Sequence, residues 1–130
     1  MNALKFKARN KIATCVTSVL LFGMALTSTT VSAASIGRTM KSMKIAYNDA
    51  MDASSMSEFA QAMGVLQNRS QEARNLGFDG TPDEQATYRE GMSLLQQEIA
   101  SAMAADDLGA AKAALLRIRT IEKRYHNALR

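Results

Sequence analysis

His126 is the only histidine among the 130 residues, and it stands in the closing stretch IEKRYHNALR, Ile121 to Arg130. Helical offsets link it to Leu129, Ile118, Leu115, Ala111 and Leu108, at separations close to whole turns. That spacing predicts that His126 lies on the apolar stripe of a last helix and points inward. A lone inward histidine has an ordinary reading as a core residue bonded to a carbonyl. Imidazole becomes a metal ligand when a second donor faces it, and the chain carries nine methionines. Met40 and Met43 lie near the start of the first helical pattern. A thioether and an imidazole across an apolar slot are the axial pair that suits a low-spin haem iron. Whether they face each other depends on the elements that carry them.

The chain opens on MNALKFKARNK, with Lys5, Lys7, Arg9 and Lys11 and no acid. An uncharged, mostly apolar run follows from Ile12 to Leu26, then small and polar residues ending in Val31-Ser32-Ala33. A basic head, a short apolar middle and a small-x-small exit predict a secretory signal peptide over residues 1–33. The apolar run is too short and too interrupted for a membrane span of about 20 residues. The formal charge of +4 equals the four basic residues of this segment, so residues 34–130 are expected to be neutral overall. No basic patch points to nucleic acid, and no membrane anchor is expected. The single cysteine, Cys15, falls in the segment to be removed, leaving neither a disulfide nor a reactive thiol.

Residues 34–130 are poor in Gly and Pro and rich in Ala, Met, Leu, Gln, Glu and Arg, a helix-forming composition. Four helices are predicted. The first runs from about Ile36 to Ala53 with Ile36, Met40, Met43, Tyr47 and Ala50 inward. The second opens at Ser57-Glu58 and closes at Leu76 before a left-handed Gly77, with Phe59, Met63, Leu66, Ser70 and Ala73 on one face. Thr81-Pro82-Asp83-Glu84 starts the third with an N-cap hydroxyl, Pro at the first position and Glu three residues after the cap. It carries Tyr88, Met92, Leu95, Ile99 and Ala102 inward. Asp106-Asp107 caps the fourth, which continues to the C-terminus. Amphipathic helices of this length joined by short loops predict an all-α, antiparallel up-down-up-down four-helix bundle.

In that topology the start of the first helix and the end of the last share one end of the bundle. Met40 and His126 then fall at similar depth, near a mouth to which Leu66, Tyr88 and Met92 contribute. By geometry alone Met43, one turn on, could serve as well as Met40. A carboxylate metal site would need Glu-x-x-His facing inward, but Lys123 stands three residues before His126.

The Tyr125-His126 pair with Arg130 four residues later, on a chain of this pattern, resembles the ending of the cytochrome b562 family. These are small periplasmic four-helix haem proteins. The resemblance covers Ala34–Arg130. It implies His126 as one iron ligand and the seventh residue of the mature chain, Met40, as the other, with Met43 on a core position. Two family phenylalanines that pack on the haem correspond to Tyr88 and Met92. The family's arginine one turn before the histidine is replaced by Glu122, for which Arg119, Lys123 or Arg124 could substitute in charge. The connection between the second and third helices is shorter than the family's.

No Cys-x-x-Cys-His occurs, so one haem b held non-covalently is expected. With both axial positions filled by protein, the expected role is one-electron transfer rather than catalysis, by a periplasmic monomer whose redox partner the sequence does not identify. The site expected is Met40 and His126 on the iron, with Met43, Leu66, Tyr88, Met92 and Tyr125 around the cofactor. The competing reading is a haem-free periplasmic helical bundle that binds or chaperones other proteins. The export reading predicts that mass spectrometry of the periplasmic protein will give an N-terminus at Ala34; an intact Met1 would refute it.

Overall fold

The computed structural model describes residues 33–130, and the signal segment expected over 1–33 lies outside them save for Ala33. Four helices follow in order: α1 Ala33–Asp52, α2 Met56–Leu76, α3 Pro82–Met103 and α4 Leu108–Ala128. Among the described residues no helix is long and apolar enough to cross a membrane.

Local chemistry sets where each helix starts. At α3 the Thr81 hydroxyl accepts from Glu84 N at 3.3 Å while the Glu84 carboxylate accepts from Thr81 N at 2.7 Å. Two amide groups with no partner inside the helix are thus satisfied, and Pro82 occupies a position where no amide donor is needed. Asp107 caps α4, its Oδ1 accepting from Ala110 N at 2.8 Å. The start of α2 differs from expectation. Ser55, not Ser57, is the cap, accepting from Glu58 N at 3.2 Å, and the Glu58 carboxylate reaches back to Ser54 N at 2.7 Å. Glu58 is therefore the third residue of the helix, where a capping carboxylate works best. After α2, Gly77 has φ 75° and ψ −169°. This is the extended positive-φ region open essentially to glycine alone, not the left-handed helical well.

The core is one cluster drawn from all four helices, with Phe59, Met63, Leu66, Ile99 and Leu115 its largest fully buried side chains. The faces predicted for α2 and α3 are the faces found. Polar contacts give the direction of packing. Gln96 Nε2 donates to Gln71 at 3.0 Å, and earlier on α3 the Tyr88 hydroxyl donates to Ala73 O, later on α2, at 2.6 Å. That order is the one antiparallel neighbours produce. Thr39, early in α1, donates to Glu72, late in α2, at 3.0 Å. At the far end Lys112 Nζ, in the first turns of α4, donates to Ala53 O just past α1 at 2.7 Å. α1 packs chiefly on α2 and α3 chiefly on α4; α1 and α4 are neighbours that touch least.

Burial pushes the Tyr88 phenol up to about 12 from its usual 10. The neutral phenol is thus favoured by folding: that stability is complete below pH 10 and is lost as pH rises through 12. Urea unfolding should show stability falling across this window, and Tyr88→Phe should flatten the fall. A variant that falls as steeply as the parent would assign the alkaline transition elsewhere.

Candidate functional site

Between the loosely joined α1 and α4 the bundle holds a cavity of about 510 Å³, within the usual range for sites that hold a small molecule or cofactor. Its walls include all seven residues expected at the site: Met40, Met43, Leu66, Tyr88, Met92, Tyr125 and His126. The walls differ by helix. α2 and α3 supply Leu66, Tyr88, Gly91, Met92 and Leu95, and the loop between them supplies Phe78, whose ring stacks on Tyr88 with centroids 5.6 Å apart. Every charged lining residue comes from α1 or α4 or the residues beyond it: Lys44, Glu122, Arg130 and, when protonated, His126. The cavity therefore has an apolar floor and a charged rim along the α1–α4 seam.

His126 is not buried as the stripe predicted. Its side chain is 56% exposed, while Tyr125 at 8% is the buried member of the pair. The offset of eight from Ile118 explains this. At about 100° per residue it overshoots two turns by roughly 80°, whereas seven residues fall only about 20° short. The inward line on α4 thus runs through buried Ile118 and Tyr125 with partly buried Ile121 and Leu129, and His126 stands beside it on the rim. Met40 is displaced similarly. The buried line of α1 is Thr39, Met43, Ala46, Ala50, and Met40 and Tyr47 flank it on the cavity side, each partly exposed. A residue on the wall of an open cavity is exposed to that cavity, so exposure here is compatible with holding a ligand.

Tyr47 of α1 also lines the cavity, and burial raises its pKa, with the charge of Arg119 opposing the rise and that of Glu122 adding to it. Along α4 Glu122 also reaches its own neighbour: its Oε1 is 3.7 Å from His126 Nδ1. None of Arg119, Lys123 and Arg124 lines the cavity, and Arg124 instead lies over the Tyr125 ring, 5.4 Å from its centroid.

Three features of the site were missed in the sequence: Phe78, whose loop position gives no periodic signal, Lys44 and Gly91. Lys44 is one turn beyond Met40, and helical spacing from Met40 would have found it. Gly91 gave only the weak signal of a glycine inside a helix. A Cβ there would stand 2.8 Å from Tyr125 Cγ, so the absence of a side chain is what lets the Tyr125 ring lie against α3. The Tyr125 hydroxyl is buried without a hydrogen-bond partner. Burial and the neighbouring Glu90 carboxylate raise its pKa, against the opposing charge of Arg124. Among the described residues no three or more His, Cys, Asp or Glu side chains gather as a metal site.

The bundle carries its one histidine and three methionines on the wall of a largely apolar cavity, and the family model for cytochrome b562 matches residues 35–130. The chain belongs to the cytochrome b562 family. It is thereby placed among b-type haem cytochromes, which carry electrons, and the match spans all four helices apart from the first two residues of α1. No curated protein and no solved structure matches it.

Gly91→Ala gains up to about 1 kcal/mol in helix propensity but drives a methyl group into the Tyr125 ring. Overpacking of this kind costs about 1–3 kcal/mol, so the family fold should lose net stability in urea unfolding. A stabilised variant would mean that the ring moves aside freely.

Proposed function

We propose that this member of the cytochrome b562 family is an exported, periplasmic electron carrier holding one non-covalent haem b, with His126 and Met40 as axial ligands. The observation that carries the reading is that both donors line one cavity, from the helices either side of its open seam. The residues present fit the group. The wall offers an imidazole and a thioether, the floor is apolar, and no Cys-x-x-Cys-His is available for covalent attachment.

When bound, the cofactor supplies a one-electron couple at iron. The protein's part is to hold, orient and tune. Met43, Leu66, Tyr88, Met92 and Tyr125 exclude water from the pocket. Glu122 Oε1 lies 3.7 Å from His126 Nδ1, too far for a hydrogen bond, and adds negative charge beside the imidazole. Met40 contributes a soft thioether that favours reduced iron and raises the potential. With His126 and Met40 both holding the group, no position on the iron would be left for a substrate, so the proposed role is transfer rather than catalysis. Family membership counts against the haem-free binding or chaperone alternative, because a binding bundle has no need of two matched donors.

Haem titration of the purified protein should give a low-spin spectrum with sharp bands on reduction, and a higher melting temperature than the haem-free form, since a ligand bound only by the folded state stabilises it. His126→Ala should turn the iron high-spin and release haem readily. Met40→Ala should keep haem but lower the potential. Met43→Ala should keep the low-spin spectrum and lose only packing, about 2–5 kcal/mol for a buried methionine. If Met43→Ala changes the iron spectrum while Met40→Ala does not, the axial thioether is assigned to the wrong turn. If none of the three changes it, the haem site itself is refuted.

A further inference from the structure

The cofactor proposed above has two carboxylate side chains, and carboxylates that enter a partly apolar cavity need a cation or they bind at a desolvation cost. On α4 the residue one turn before His126 is Glu122, where the family resemblance leads one to expect arginine. Glu122 brings negative charge to the rim and lies beside His126 Nδ1. It would repel a ligand carboxylate placed next to it. The three basic residues closest to it in sequence, Arg119, Lys123 and Arg124, do not line the cavity.

Lys44 does line it. It stands one turn beyond Met40 and shares the cavity wall with Glu122, from the opposite side of the seam. Among the described residues it takes part in no ion pair. Its side chain is exposed, so its amino group can reach a ligand at the rim without leaving another acid unpaired. Arg130 is the other permanent cation on the wall, but it follows the end of α4 and is not held in a helix.

We infer that Lys44 is the cation that binds a carboxylate of the porphyrin, so that this contact comes from α1 rather than from α4, where Glu122 stands on the wall. This rests on the haem reading. It assigns to α1 both an iron donor and the carboxylate contact, one turn apart.

The test compares equilibrium binding of iron protoporphyrin with that of its dimethyl ester, which has the same ring and iron but no carboxylates. The unsubstituted protein should prefer the free acid by about tenfold or more, the scale of one charge-assisted hydrogen bond. Lys44→Gln should erase most of that preference while leaving ester binding, and the circular dichroism and melting of the haem-free protein, unchanged. The double variant Lys44→Gln/Glu122→Arg should restore it by placing a cation on α4. Arg130→Gln should have the smaller effect. A preference retained in Lys44→Gln, a preference lost only in Arg130→Gln, or no preference in the unsubstituted protein would each overturn the inference while the haem reading stands. Failure of both porphyrins to bind would overturn the two together.

Discussion

The site depends on α1 and α4 being held apart. Each is secured mainly by another partner: α1 by α2, through the core and the Thr39–Glu72 contact, and α4 by α3, through the core and the Arg117–Glu98 pair at 2.8 Å. The two pairs are joined at the far end by Lys112 and the Ala53 carbonyl. Since neither helix needs the other for its burial, the seam between them can remain open near the mouth without unravelling the bundle. A cavity of about 510 Å³ would otherwise be costly, because an interior packs at the density of an organic crystal and unfilled space forfeits dispersion contacts.

The division of labour between the helix pairs follows from the same geometry. α2 and α3 face the cavity from the closed side, where any charge would be desolvated, and they line it with apolar groups, a glycine and a tyrosine whose hydroxyl is satisfied by Ala73 O at 2.6 Å. α1 and α4 meet water along the seam, and only there do Lys44, Glu122 and Arg130 occur. An amphipathic ligand with an apolar ring and an anionic edge matches that gradient: ring against the floor, carboxylates towards the rim. A carboxylate contact from Lys44 decides which helix meets the anionic edge but leaves the gradient as it is.

Close approach of the backbone is what brings Tyr125 into the wall. Its ring lies against Gly91, where a Cβ would come within 2.8 Å of it, and this places the residue before His126 firmly on α3. The rim position of His126 is thus anchored by its neighbour's burial rather than by its own. That arrangement leaves the imidazole accessible from the seam while restricting the turn of helix that carries it.

Much of this was legible in the sequence. The faces of α2 and α3, the capping box at Thr81 and Glu84, and the four-helix count follow from hydrogen bonding and periodicity within single helices, which are local properties. The ending Tyr125-His126 with Arg130 carried the family. What single-helix periodicity could not decide was which side of each stripe looks into space and which into packed core. His126 and Met40 both lie beside the buried line, His126 because 3.6 residues per turn does not return an eight-residue offset to the same face. Only the packing of α1 against α4 reveals that both displacements lead to one cavity. The same holds for charge: Lys44 and Glu122 are 78 positions apart, and their meeting on the wall of one cavity arises from how two distant helices are set against each other, a relation that no pattern within either helix contains.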